Sequence, residues 1–74
     1  MNIGKAAKLS NLTVKTVRYY ADIGLVRPLK NKSTGYRDFS KDDLARLQFV
    51  AKARKFNFSI QECEELLSLY SDKN

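Results

Sequence analysis

A mainly α domain, four helices and one short two-stranded β hairpin, is the architecture implied by these 74 residues. Three observations carry it. Four stretches place apolar residues at helical spacing directly behind an Asn, Thr or Ser that can cap them. The first two of those stretches are separated by only a short polar turn. Between the second and third lies a segment punctuated by Gly24, Pro28 and Gly35, where the helical pattern stops. The length suits one domain, near the lower limit for unaided folding. Apolar residues at 43% are enough for a core, and charged residues at 30% fit a soluble surface rather than a disordered tail.

The first helix is expected from Ile3 to Leu9, with Asn2 as N-cap and Ile3, Ala6 and Ala7 on one face. Ser10-Asn11-Leu12 breaks it, because Ser and Asn compete for local backbone hydrogen bonds. Thr13 caps a second helix, Val14 to about Asp22, which Gly24 closes at C′. Two short helices joined so tightly form a helix-turn-helix. Leu25 to Lys30 then reads as extended, and Pro28, with no N–H to donate, confines it to an edge strand or its end. Asn31 to Gly35 is turn chemistry, and Tyr36 to Phe39 is a second strand. Lys30, Lys32 and Arg37 put positive charge at and near the hairpin tip, as suits a wing laid along a phosphate backbone. Ser40 opens a third helix that runs to about Lys55, with Asp43 completing an imperfect capping box. Its apolar stripe is Leu44, Leu47 and Ala51, widened by Phe49 and Val50. Phe56-Asn57-Phe58 is a break, and Ser59 with Glu62 is a full capping box for a fourth helix, about Ile60 to Tyr70. Together these elements predict a winged helix-turn-helix over residues 1–74.

Charge narrows the function. Lys5, Lys8, Lys15, Arg18, Arg27, Lys30, Lys32 and Arg37 stand against a single acid, Asp22, so residues 1–37 carry +7, while the whole chain carries +6. The remaining residues carry −1. A basic half nearly free of acid is the footprint of a polyanion binder. Histidine is absent, which removes most hydrolytic triads, general-base histidines and zinc sites, so no enzyme is expected. One cysteine excludes an internal disulfide and fits a reducing cytoplasm. Cys63 shares a helix face with Ile60, Leu67 and Tyr70 and reads as a core residue. A soft metal needs more soft ligands than Cys63 and Met1 supply, so no metal site is expected in the chain. No apolar run approaches the roughly 20 residues of a membrane span, and the start lacks the apolar stretch of a signal peptide.

On a wheel of 100° per residue, Val14, Val17 and Ala21 cluster within about 60° as the buried stripe of the second helix. Lys15, Thr16 and Tyr19 point away from it, and their chemistry suits phosphates and base edges in a major groove. Arg18 and Tyr20 fall on opposite flanks: Arg18 can reach outward along its stem, whereas Tyr20 is expected to pack at the rim. On the third helix Arg54 falls on the apolar side near Leu47 and Ala51, where an arginine must escape at the helix end, pair with an acid or meet a DNA phosphate.

Several residues at these spacings form a recognisable succession: Asn2-Ile3-Gly4, Ala7, Thr13, Val17-Arg18-Tyr19-Tyr20, Ile23-Gly24-Leu25-Val26, Gly35-Tyr36-Arg37 and Phe58-Ser59-Ile60. The chain resembles, over its whole length, the N-terminal DNA-binding domain of the mercury-resistance-regulator (MerR) family. Within it, Met1-Asn2-Ile3-Gly4 and Leu66-Leu67-Ser68-Leu69-Tyr70 are most similar to the copper-efflux-regulator branch, which senses Cu(I), Ag(I) or Au(I). The resemblance implies a homodimer on a dyad operator in an overlong promoter spacer, bending and underwinding that DNA so that RNA polymerase engages both promoter elements. Carried onto this sequence, it makes Lys15, Arg18 and Tyr19 or Tyr20 recognition-helix contacts, Tyr36 and Arg37 wing contacts to phosphate, and Arg54 a further backbone contact. Lys30 and Lys32 lie in the wing, where the family varies. Family members continue into a long dimerisation helix and an effector-binding segment, a two-cysteine loop in the copper sensors. Neither is in these residues. The expectation is therefore a truncated fragment, or a protein that dimerises by other contacts, monomeric or weakly dimeric alone. Cu(I) or another soft metal is assigned to the absent C-terminal segment. Alternatives are an excisionase-like architectural factor that bends DNA, or a basic module for an anionic membrane or an acidic protein. The latter fits less well, since the cations are spread over helix, turn and wing.

Overall fold

A computed structural model describes residues 1–71, and the side chains of residues 1–69. In chain order the elements are α1 (Ile3–Ser10), α2 (Val14–Asp22), β1 (Leu29–Lys30), β2 (Arg37–Asp38), α3 (Lys41–Lys55) and α4 (Ile60–Ser71). Each helix begins on the cap its sequence offers. The Asn2 side chain accepts from the Lys5 amide at 2.8 Å, and Thr13 Oγ1 accepts from the Thr16 amide at 3.1 Å. Ser59 and Glu62 exchange bonds of 2.8 and 3.0 Å. The Ser40–Asp43 box closes in the same way, at 2.9 and 3.0 Å, although Asp is one methylene shorter than the usual Glu.

The helix ends share one device. Asn11, Gly24 and Asn57 lie in the left-handed region at φ 60°, 84° and 67°. After each, the next amide reaches back to a carbonyl in the last turn: Leu12 to Ala7 at 2.9 Å, Leu25 to Tyr20 at 2.9 Å, Phe58 to Ala53 at 3.1 Å. These are Schellman ends. In α1 this carries the helix one residue past the expected Leu9, because Ser10 turns its hydroxyl onto Ala6 O at 2.7 Å instead of breaking the helix. Only glycine adopts φ 84° without penalty, so Gly24→Ala should cost about 1–2 kcal/mol in urea unfolding. The space around Gly24 is open, so backbone strain is the whole cost.

The core is built from Ala6 and Ala7 of α1, Val17 and Tyr20 of α2, Leu47, Val50 and Ala53 of α3, and Cys63 and Leu67 of α4. Leu25, Val26 and Phe39 join it from the connections and root the hairpin. Helix α1 packs on α2 and α3, and α3 on α4. Burial pushes the Cys63 thiol pKa above its ordinary value, with Arg54 pulling it back and Glu62 adding to the rise. Tyr70, expected on the same face as Cys63, lies outside the described side chains.

Three expectations about faces are corrected. The α3 stripe is rotated: Ala53 is buried, Leu44 and Ala51 are half-buried, and Phe49 is 41% exposed. Helix α3 packs against both α1 and α4, and Phe49 lines the open groove between α3 and α4 beside Leu66 and Leu69 instead of entering the core. Val14 is exposed, since as the first residue of α2 it lies before the helix meets the core. The strands are shorter than expected, two residues each, because Leu25, Val26 and Phe39 turn into the core rather than extending the ladder. No described helix is long and apolar enough to cross a membrane.

Candidate nucleic-acid interface

Helix α2 presents its outward face by default, since Val17 and Tyr20 anchor the opposite side. Lys15 and Arg18 are exposed, Tyr19 is half-exposed, and Thr16 is half-buried with its hydroxyl accepting from Thr13 Oγ1 at 2.8 Å. Tyr20 is only 5% exposed, so its ring belongs to the core rather than to this face. The Tyr19 and Tyr20 ring centroids are 6.0 Å apart and tilted by 47°, so the buried ring backs the exposed one.

The hairpin stands beside this helix. Strands β1 and β2 pair antiparallel with Leu29 opposite Asp38 and Lys30 opposite Arg37. Its tip is folded by Asn31, whose side-chain oxygen accepts from the Ser33 and Thr34 amides at 2.8 and 3.1 Å. Gly35, at φ 76°, returns its amide to Asn31 O at 2.8 Å. Lys30 and Lys32 are exposed, and Tyr36 is 78% exposed. Arg18 from the helix and Lys30, Tyr36 and Arg37 from the wing line one cleft of about 180 Å³, closed by Ile3 and Gly35. The fold therefore brings helix and wing cations to a single notch.

Arg37 is not wholly free there. It is ion-paired to Asp22, at the last residue of α2, and is the half-buried member of the set. This partner was missed in the sequence, although a lone acid among eight cations was visible. Arg54 is placed elsewhere. It is exposed, donates to Phe58 O at 2.9 Å, and lines a separate groove with Leu9, Gln48 and Phe56. It has not joined the apolar side, nor does it pair with an acid among the described residues: at the helix end its long stem leaves the core and the guanidinium ties the α3–α4 turn. Among the described residues, no group of three His, Cys, Asp or Glu side chains could hold a metal ion.

Comparison with known proteins matches this geometry. Residues 1–69 fit the model of the MerR HTH family regulatory protein. The chain is 49% identical over 74 residues to the HTH-type transcriptional regulator HmrR of Rhizobium leguminosarum bv. viciae, covering all of this chain and 57% of that protein. Its fold superposes on the lead(II) complex of the transcription regulator PbrR691 from Ralstonia metallidurans CH34, with TM-score 0.83 and 30% identity over 96% of this chain and 56% of that one. It also superposes on EcmrR in the cryo-EM structure of the EcmrR–DNA complex in EcmrR-RPo, with TM-score 0.75 and 35% identity over 100% of this chain and 27% of that one. The chain thus spans about half the length of the regulators HmrR and PbrR691. With residues 1–69 matching the family model and the fold shared with these regulators, the chain belongs to the MerR HTH regulatory family.

Proposed function

We propose that this chain is the DNA-reading part of a transcriptional regulator in the bacterial cytoplasm. The observation that carries the proposal is the notch where Arg18, Lys30, Tyr36 and Arg37 converge beside the exposed Lys15–Tyr19 face. In this reading Lys15, Thr16, Arg18 and Tyr19 enter the major groove. Lys30, Tyr36 and Arg37 hold the adjacent phosphates, and Arg54 contacts the backbone from the α3–α4 turn. Tyr20 supports from the core. RNA polymerase as a partner is supported by the EcmrR–DNA complex found in EcmrR-RPo. A response to a soft metal of the Cu(I) type is supported by the similarity to lead-bound PbrR691, with the ligands outside the residues described. Distortion of a dyad operator in a promoter spacer, by a homodimer, completes the proposal. The second copy is favoured by an apolar groove of about 330 Å³ along α3 and α4, where Phe49 and Leu69 stand exposed beside Leu66.

The test is enrichment of an inverted-repeat duplex from a randomised pool, followed by titration of that duplex and a scrambled version. Arg18→Ala should weaken binding to both. Lys15→Ala should also relax preference at one base position, with a bidentate base contact worth about 1–3 kcal/mol of discrimination. A pool that yields no enriched duplex, or two variants that bind like the parent, would contradict the assignment.

A further inference from the structure

We propose that Asp22 is a positioning residue of the DNA-reading face. It fixes the wing on the recognition helix through Arg37, and it lowers affinity for DNA of the wrong sequence. The inference rests on the DNA-binding proposal above and adds a source of discrimination to it.

The first observation is the contact itself. Arg37 Nη2 donates to Asp22 Oδ1 across fifteen residues of sequence, joining the end of α2 to β2. The second is how poorly Asp22 suits its position otherwise. It is the last residue of α2, where the exposed carbonyls carry partial negative charge and an acid is disfavoured. No basic residue in that last turn offsets it. It is also the one acid among residues 1–37, next to a face whose cations would draw in a polyanion. A residue that opposes both its own helix and the expected ligand is accounted for by what it holds. The third observation is the wing. Its strands are two residues long, and Lys30 lies directly opposite Arg37, a like-charged pair that pushes the strands apart. Asp22 neutralises one member of that pair and sets the distance between wing and helix at the same time.

These effects separate experimentally. Removing the negative charge raises the local cation count, which favours any duplex. Loosening the wing removes the fixed spacing that favours the matched one. Asp22→Asn should therefore bind the scrambled duplex more tightly, with a plot of log K against log salt steeper by about 0.9. The preference for the enriched duplex should fall, by up to about fivefold if the pair contributes as exposed ion pairs do. Asp22→Glu, which keeps the charge on a longer stem, should restore the parent salt slope but not the full preference. In an Arg37→Ala background, Asp22→Asn should leave the preference unchanged. Equal weakening on both duplexes would mark Asp22 as structural only. Equal tightening with the preference intact would mark it as a charge without a positioning role. Either result, or the same loss of preference without Arg37, overturns the inference while DNA binding stands. A parent chain that binds neither duplex overturns both.

Discussion

Leu47→Ala is expected to cost about 2–5 kcal/mol of stability in chemical unfolding. Leu47 is 0% exposed and sits where α3 meets the rest of the core. A chain of this length holds a total stability of only about 4–11 kcal/mol at the usual 0.05–0.15 kcal/mol per residue. The substitution should therefore leave a population of unfolded chains visible at physiological temperature. Leu47→Met, which keeps the volume, should cost less than about 1.5 kcal/mol. Phe49→Ala provides the contrast, because 41% of Phe49 is already in solvent. Its cost should be less than half that of Leu47→Ala. Equal costs would mean that the α3 stripe lies where its heptad-like spacing first suggests, with Phe49 inside.

The second large effect is on binding. Lys15, Arg18, Lys30, Arg37 and Arg54 are the cations assigned to phosphates and bases. Each neutralised phosphate on duplex DNA contributes about −0.9 to the slope of log K against log salt. If Lys30, Arg37 and Arg54, the three assigned to phosphates, all engage, the slope is about −2.7; if Arg37 stays with Asp22, it is about −1.8. Raising salt from about 50 to about 200 mM should then weaken binding roughly 12- to 40-fold. The measurement is an anisotropy titration at four or more salt concentrations. A slope flatter than about −1 would mean that these cations do not meet phosphates.

The parts of this molecule set by local chemistry were legible before any coordinates. Asn2, Thr13, Ser40 and Ser59 cap the helices they announce, and Gly24 closes α2 where its position suggests. The wing turn follows from Asn31 and Gly35 alone. What was not legible depends on which neighbours surround a residue. Asn11 and Asn57 adopt the left-handed conformation that glycine usually supplies, and a sequence offers many asparagines that do not. The α3 face required knowing that α1 and α4 both pack against it. Tyr20 and Tyr19 are adjacent and chemically identical, and only the packed core decides that one is buried. Arg54 read as a buried problem and proved to be a surface tie to Phe58. Of the candidate site, the cations and Tyr36 were evident as types. Their convergence was not, because it depends on the hairpin folding back so that β2 meets the end of α2.

The most direct test of the interface is amide chemical-shift mapping of the isotopically labelled chain during titration with the enriched duplex at low salt. Saturable shifts are expected along the exposed face of α2 from Lys15 to Tyr19, across the wing from Lys30 to Arg37, and around Arg54. The buried positions Leu47, Val50 and Cys63 should move little. Shifts confined to the apolar α3–α4 groove around Phe49 and Leu69, or no saturable shift at all, would contradict the assignment of the α2–wing face as the surface that reads DNA.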